Sequence, residues 1–68
     1  MKQISLKTEY IKLDQFLKLV NEVSSGGEAK ILILDSQVKL NGVTEIQRGK
    51  KIRPGDVVTV NDNSYEVI

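Results

Sequence analysis

Val38-Lys39-Leu40-Asn41-Gly42-Val43 is the stretch on which the fold turns. Asn-Gly between alternating apolar residues is the strongest short hairpin signal, because a type I′ turn requires positive φ at both central positions. Strands near 38–40 and 43–46 follow. Downstream, the polar loop Gln47-Arg48-Gly49-Lys50-Lys51 closes on Pro54-Gly55-Asp56, which reads as a turn. Val57 to Val60 is β-branched and strand-like, and Asn61-Asp62-Asn63 turns the chain into a last strand, Tyr65 to Ile68.

Upstream of the hairpin the period changes. Leu13, Phe16, Leu17 and Val20 fall at i, i+3, i+4 and i+7, one buried face of a short helix over roughly 12–21, with Lys18 and Asn21 on its wet side. Ser24-Ser25-Gly26-Gly27 interrupts it. Ser25 followed three residues later by Glu28 fits a capping box, in which the serine oxygen accepts from the residue 28 amide and the glutamate answers at the Ser25 amide. A second helix then runs to about Asp35, burying Ala29, Leu32 and Ile33. Gly26 and Gly27 cost its first turn about 1 kcal/mol each relative to alanine, so their value lies in close packing or in letting something approach the backbone. Before both helices, residues 2–7 alternate polar and apolar as a half-buried strand. The order β-α-α-β-β-β-β implies an α+β domain, two short helices packed on a small, mainly antiparallel sheet.

Composition narrows the function. The chain has 68 residues, one domain spanning 1–68, of a size that buries only about 60% of its unfolded surface. It contains no cysteine, histidine or tryptophan. Disulfide scaffolds, thiolate chemistry, zinc fingers and histidine acid–base catalysis are thereby excluded. An enzyme would need serine, lysine or carboxylates in a deep pocket, and a chain this small has little volume for one. No enzyme activity, cofactor or metal is expected. No apolar run approaches the ~18 residues of a membrane span, no signal peptide is apparent, and the expected location is the cytoplasm.

Ten basic and nine acidic residues leave a net charge of only +1. The distribution is uneven. Residues 30–53 hold Lys30, Lys39, Arg48, Lys50, Lys51 and Arg53 against Asp35 and Glu45, a net +4, whereas residues 54–68 hold Asp56, Asp62 and Glu66 with no base. A polyanion responds to local potential before net charge.

Lys12-Leu13-Asp14, the Ser25 to Ile33 helix with Ala29, Val38-Lys39-Leu40-Asn41-Gly42 and Arg53-Pro54-Gly55-Asp56 stand in an order that resembles the S4-type RNA-binding domain, in particular its small stand-alone bacterial YaaA-like members. The resemblance covers about residues 10–60. It implies an S4-like fold (the alpha-L motif) in which two helices and the following hairpin dock on structured RNA. It further implies a non-catalytic role in translation or ribosome assembly, with ribosomal RNA or an assembling subunit ahead of transfer RNA. Carried over by position, Lys12 stands where the family often has arginine, Ser25 caps the second helix, and Lys30 is a common basic position one turn in. Lys39 and Asn41 lie on the hairpin, and Arg48, Lys50, Lys51 and Arg53 fill the basic loop. Lys12, Lys30 and that loop are expected to converge on one face.

Two departures stand out. Gly26 replaces a frequent arginine, leaving a helix N-terminus whose amides and dipole can themselves hold an anion together with Gly27. Ser36 replaces a frequent helix-ending glycine, and either adopts a left-handed conformation at ~1–2 kcal/mol or ends the helix differently.

Several of these residues have a structural role first. Asn41 is a turn residue, Ser25 a helix cap, Asp14 a first-turn acid favoured by the helix dipole and Asp56 a turn acid. Of the aromatics Tyr10, Phe16 and Tyr65, Phe16 belongs to the core and Tyr10 is the one candidate for a ribose or base contact. So few aromatics favour folded or double-stranded RNA over splayed single strands. Two other classes compete. A β-grasp sulfur carrier needs a Gly-Gly C-terminus for adenylation, whereas the Gly-Gly here stands at 26–27 and residues 65–68 read Tyr-Glu-Val-Ile. A protein-interaction adaptor would use an exposed sheet edge. Nothing in the sequence demands a dimer.

Overall fold

The computed structural model describes residues 1–68. Nine elements follow one another: β1 (Lys2–Ile4), β2 (Ile11–Lys12), α1 (Leu13–Leu19), α2 (Gly26–Leu34), β3 (Val38–Leu40), β4 (Val43–Thr44), β5 (Lys51–Ile52), β6 (Val57–Val60) and β7 (Asn63–Val67). Five strands form one sheet in the order β1-β7-β6-β3-β4, and β2 pairs with β5 in a separate ribbon. The β1–β7 pair is parallel and the others are antiparallel.

The Asn-Gly turn forms as its chemistry demands, with φ of 52° at Asn41 and 84° at Gly42, and Leu40 stands opposite Val43. The second hairpin strand is shorter than expected, Val43–Thr44 in place of 43–46, although Glu45 N–H still donates to Val38 C=O at 3.0 Å. The first strand covers 2–4, not 2–7, although Leu6 N–H still donates to Ile68 C=O at 3.1 Å. The last strand begins earlier, at Asn63, because Asn61 alone takes the left-handed turn conformation, φ 54°.

Both helices stop one residue short of a non-glycine residue in the left-handed region. After α1, Asn21 has φ 62°, and the N–H groups of Asn21 and Glu22 donate to the C=O groups of Lys18 and Leu17. After α2, Ser36 has φ 61°, and the N–H groups of Ser36 and Gln37 donate to Ile33 and Leu32. These paired bonds form the Schellman motif. They end α1 at Leu19, two residues before Asn21, and Ser36 takes the left-handed alternative.

The core is one cluster. Leu13, Phe16 and Leu17 from α1 and Ala29 and Ile33 from α2 pack on Val38, Val58, Val60, Tyr65 and Val67 of the sheet, with Val23 and Ile52 completing it. Phe16 meets Tyr65 edge-to-face at 6.0 Å. Leu32 and Val20, expected in the core, are only half-buried at its margin, and Lys18 is half-buried as well. No helix is long and apolar enough to cross a membrane.

Candidate nucleic-acid interface

The start of α1 organises the basic residues. Lys12 occupies its N-cap position and offers no side-chain cap. The orphan amides of the first turn are satisfied from a distance, Leu13 N–H donating to Lys50 C=O at 2.8 Å and Asp14 N–H to Arg48 C=O at 3.0 Å. The loop that carries Arg48 and Lys50 is therefore pinned by its backbone to the helix start, and its side chains remain exposed.

The β2–β5 ribbon continues from this anchor. Ile11 stands opposite Ile52, and Lys12 opposite Lys51. Alternation sends the two isoleucines inward, where Ile52 is fully buried. Lys12, Lys51 and, by the same alternation, Tyr10 and Arg53 face outward, and all four are exposed. Lys51 Nζ lies 4.8 Å from the Tyr10 ring centroid and Arg53 Cζ 5.8 Å from it. Lys51, expected in a loop, thus lies in a strand. The signal for the ribbon lies in two triplets, Tyr10-Ile11-Lys12 and Lys51-Ile52-Arg53, each with one apolar residue between two polar ones.

The structure thus brings together Lys12, Arg48, Lys50, Lys51 and Arg53. The other candidates sit on different elements. Ser25 caps α2, its Oγ accepting from Glu28 N–H at 3.2 Å. The reciprocal bond is shifted by one residue from the expected capping box. Glu28 Oε1 accepts from the Ser24 amide at 3.1 Å and from the Ser24 hydroxyl, not from the Ser25 amide. One carboxylate oxygen thus takes both donors of Ser24, while the Ser25 hydroxyl serves as the cap for Glu28 N–H. The Ser24 hydroxyl, and secondarily its amide, hold the Glu28 carboxyl below the usual carboxylate range.

Gly26 and Gly27 form the first turn of α2, and the space a Gly26 side chain would take is open. Lys30 is exposed one turn further. Lys39 is exposed on β3 between Thr44 and Thr59, on the sheet face opposite buried Val38. Asn41 is engaged within the protein. Its Oδ1 accepts from Val57 N–H at 2.8 Å, and its Nδ2 donates to Asp56 Oδ1 at 3.1 Å. Asp56 Oδ2 accepts from Arg53 N–H at 2.8 Å, so the hairpin tip and the Pro54-Gly55-Asp56 turn brace each other at the end of the ribbon.

A family profile described as S4 domain matches residues 4–68. The chain belongs to the S4 domain family. It is 41% identical over 66 residues to the probable ribosome maturation protein RlbA of Bacillus subtilis, covering 96% of this chain and 93% of that one. It is 36% identical over 62 residues to the putative RNA-binding protein YbcJ of Escherichia coli, covering 91% and 89%. The solution structure of YbcJ, described as revealing an alfaL motif involved in RNA binding, superposes with a TM-score of 0.74 over the whole of this chain and 87% of YbcJ. A pseudouridylate synthase crystal structure shares the fold at 23% identity and a TM-score of 0.74, this chain spanning 24% of it. The α+β architecture with two helices on a mainly antiparallel sheet is the S4 alpha-L fold.

Proposed function

We propose that this S4-family protein is a non-catalytic RNA-binding module that docks on structured RNA, ribosomal RNA in particular, in the maturation of the ribosome. The carrying observation is the cationic ribbon. Backbone bonds from Leu13 and Asp14 fix the 48–50 segment, so that Lys12, Lys51 and Arg53 line one outward face beside Arg48 and Lys50. Phosphates attract such a face in proportion to the charges it presents, with little regard to sequence. Lys30 and the open first turn of α2 extend the contact, Lys39 adds charge on the hairpin, and Asn41 serves the site by bracing the turn that ends the ribbon. The names of RlbA and YbcJ support the same reading. The protein acts as a single domain in the cytoplasm.

Fluorescence anisotropy with a structured ribosomal RNA fragment at two salt concentrations tests this. Affinity is expected to fall by about 0.7–0.9 log units per log unit of salt for each phosphate engaged. A folded Lys50→Glu, Lys51→Glu, Arg53→Glu variant is expected to lose binding. Equal binding by wild type and variant would remove the ribbon from the site, and absence of binding to RNA and to subunits would end the RNA assignment.

A second reading has its own observation. Ile31 and Leu34, one turn apart on α2, are 70% and 59% exposed. A protein partner covering them would give binding that tolerates salt and survives the triple substitution.

A further inference from the structure

Tyr10 is an exposed aromatic on an element otherwise devoted to charge. The residue is 39% exposed. Its backbone is held from the N-terminal side, where the Thr8 hydroxyl donates to Tyr10 C=O at 2.8 Å. Lys51 Nζ and Arg53 Cζ lie over the ring, 4.8 and 5.8 Å from its centroid, as cation–π contacts. Because the pairing Ile11–Ile52 sets the register, Tyr10 falls across from Arg53 and diagonal to Lys51, and all three share the outward face with Lys12.

Two long, flexible cations resting over a partly exposed ring match the two parts of one nucleotide, because they can swing from the ring to flanking phosphates and free its face for the base. A base offers a π-face to stack on tyrosine, and its flanking phosphates offer anions to ammonium and guanidinium groups. Paired bases inside an A-form helix cannot reach such a ring, because their faces are covered by their neighbours. We propose that Tyr10 is a stacking platform for a single unpaired nucleotide, bulged or at the end of a helix, whose flanking phosphates are held by Lys51 and Arg53. This rests on the RNA-binding function proposed above and refines its ligand. The preferred RNA is a folded one with an unpaired base at the edge of the phosphate footprint, so shape and one extruded base together define the site.

Two RNA hairpins of one sequence test the assignment, one perfectly paired and one with a single bulged 2-aminopurine. Wild type is expected to bind the bulged hairpin on the order of tenfold more tightly, with the fluorescence of the bulged base quenched on binding. Tyr10→Leu, whose fold and melting temperature are checked by circular dichroism, is expected to lose the preference and the quenching. Its affinity for the paired hairpin should fall by less than its affinity for the bulged one. Tyr10→Phe should retain both effects.

Salt-dependent binding of both hairpins with equal affinity by wild type would overturn the platform while leaving the RNA function intact. So would a Tyr10→Leu protein that still prefers and quenches the bulge. Failure of wild type to bind either hairpin or any ribosomal RNA would overturn the RNA function and the platform with it.

Discussion

Replacing Asn41 by alanine is expected to destabilise the protein by about 2–4 kcal/mol without removing a core atom. Two contributions make up this figure. The Asn41 side chain accepts from Val57 N–H at 2.8 Å and donates to Asp56 at 3.1 Å, and each bond contributes about 0.5–1.5 kcal/mol, more where the abandoned amide is half-buried as at Val57. The backbone at 41 is left-handed, φ 52°, where alanine is strained by about 1–2 kcal/mol and asparagine by less. A chain of 68 residues has a total stability of roughly 3–10 kcal/mol, so the loss is a large fraction of it, a fall of about 15–30 °C in melting temperature. Urea denaturation followed by circular dichroism measures the change. Asn41→Gly separates the contributions, recovering the backbone part and none of the hydrogen bonds, and should fall between wild type and Asn41→Ala. A loss below about 0.5 kcal/mol for the alanine variant would refute the brace, and glycine as damaging as alanine would refute the strain. At a temperature where the alanine variant is fully folded, its RNA affinity should match wild type, because Asn41 acts through the turn.

Ser36→Gly should stabilise the protein by about 1 kcal/mol, because glycine takes the left-handed helix end at φ 61° without strain; thermal melting reads the gain, and a loss would show that the Ser36 side chain does something its backbone does not reveal. Tyr65 donates its hydroxyl to Glu22, and that bond, aided by burial and the Glu22 charge, pushes its pKa up to about 12 from 10.0. Since the unfolded chain releases this proton near 10 and the folded chain near 12, stability is full below pH 10 and falls between pH 10 and 12. The loss is on the order of 1 kcal/mol after screening at this part-buried position, and Tyr65→Phe, compared by denaturation across that window, should lack it. On the acid side, Glu28 ionises below its ordinary 4.5 through Ser24, so its bonds to the start of α2 persist above that value and weaken as pH falls below it; Ser24→Ala should flatten that part of the stability profile.

Local chemistry made much of this fold readable. Asn41-Gly42 announced a turn that only positive φ could satisfy, Ser25 and Glu28 announced a helix start, and the spacing of Leu13, Phe16 and Leu17 announced one buried face. What stayed hidden depends on residues far apart in the chain. Nothing near Lys12 caps α1, because the acceptors are Lys50 and Arg48 carbonyls more than thirty residues on. Strands of two residues, such as β2 and β5, show alternation over a single triplet each, too short to set them apart from a loop. The individual cations of the site were therefore legible, and the family resemblance implied that they converge on one face, but the strand pairing that sets Lys12 opposite Lys51 was not legible, nor was Tyr10 as a neighbour of Lys51 and Arg53. The Glu28 partner also differs from expectation by one residue, because Ser24 gives the carboxylate both its amide and its hydroxyl while the Ser25 hydroxyl accepts from Glu28 N–H.

The ribbon also contains a conflict that bears on its purpose. Lys12 stands directly opposite Lys51, and like charges in that relation destabilise a strand pair by a few tenths of a kcal/mol to about 1. Threonine at position 12 would remove the repulsion and suit the strand. A sequence shaped for stability alone would favour it, and positions that break a local rule without structural return are where function is expected. Lys12→Thr should therefore raise stability by about 0.5–1 kcal/mol at low salt. The gain should shrink as salt screens the lysine pair it abolishes. The same variant should bind RNA more weakly and reduce the salt slope by about one phosphate. Denaturation and anisotropy on one protein sample measure both. A variant that is less stable than wild type would show that Lys12 holds the ribbon together, and one that binds RNA unchanged would remove Lys12 from the interface. Stability gained and affinity lost together would identify the lysine pair as a charge arrangement that only a bound polyanion relieves.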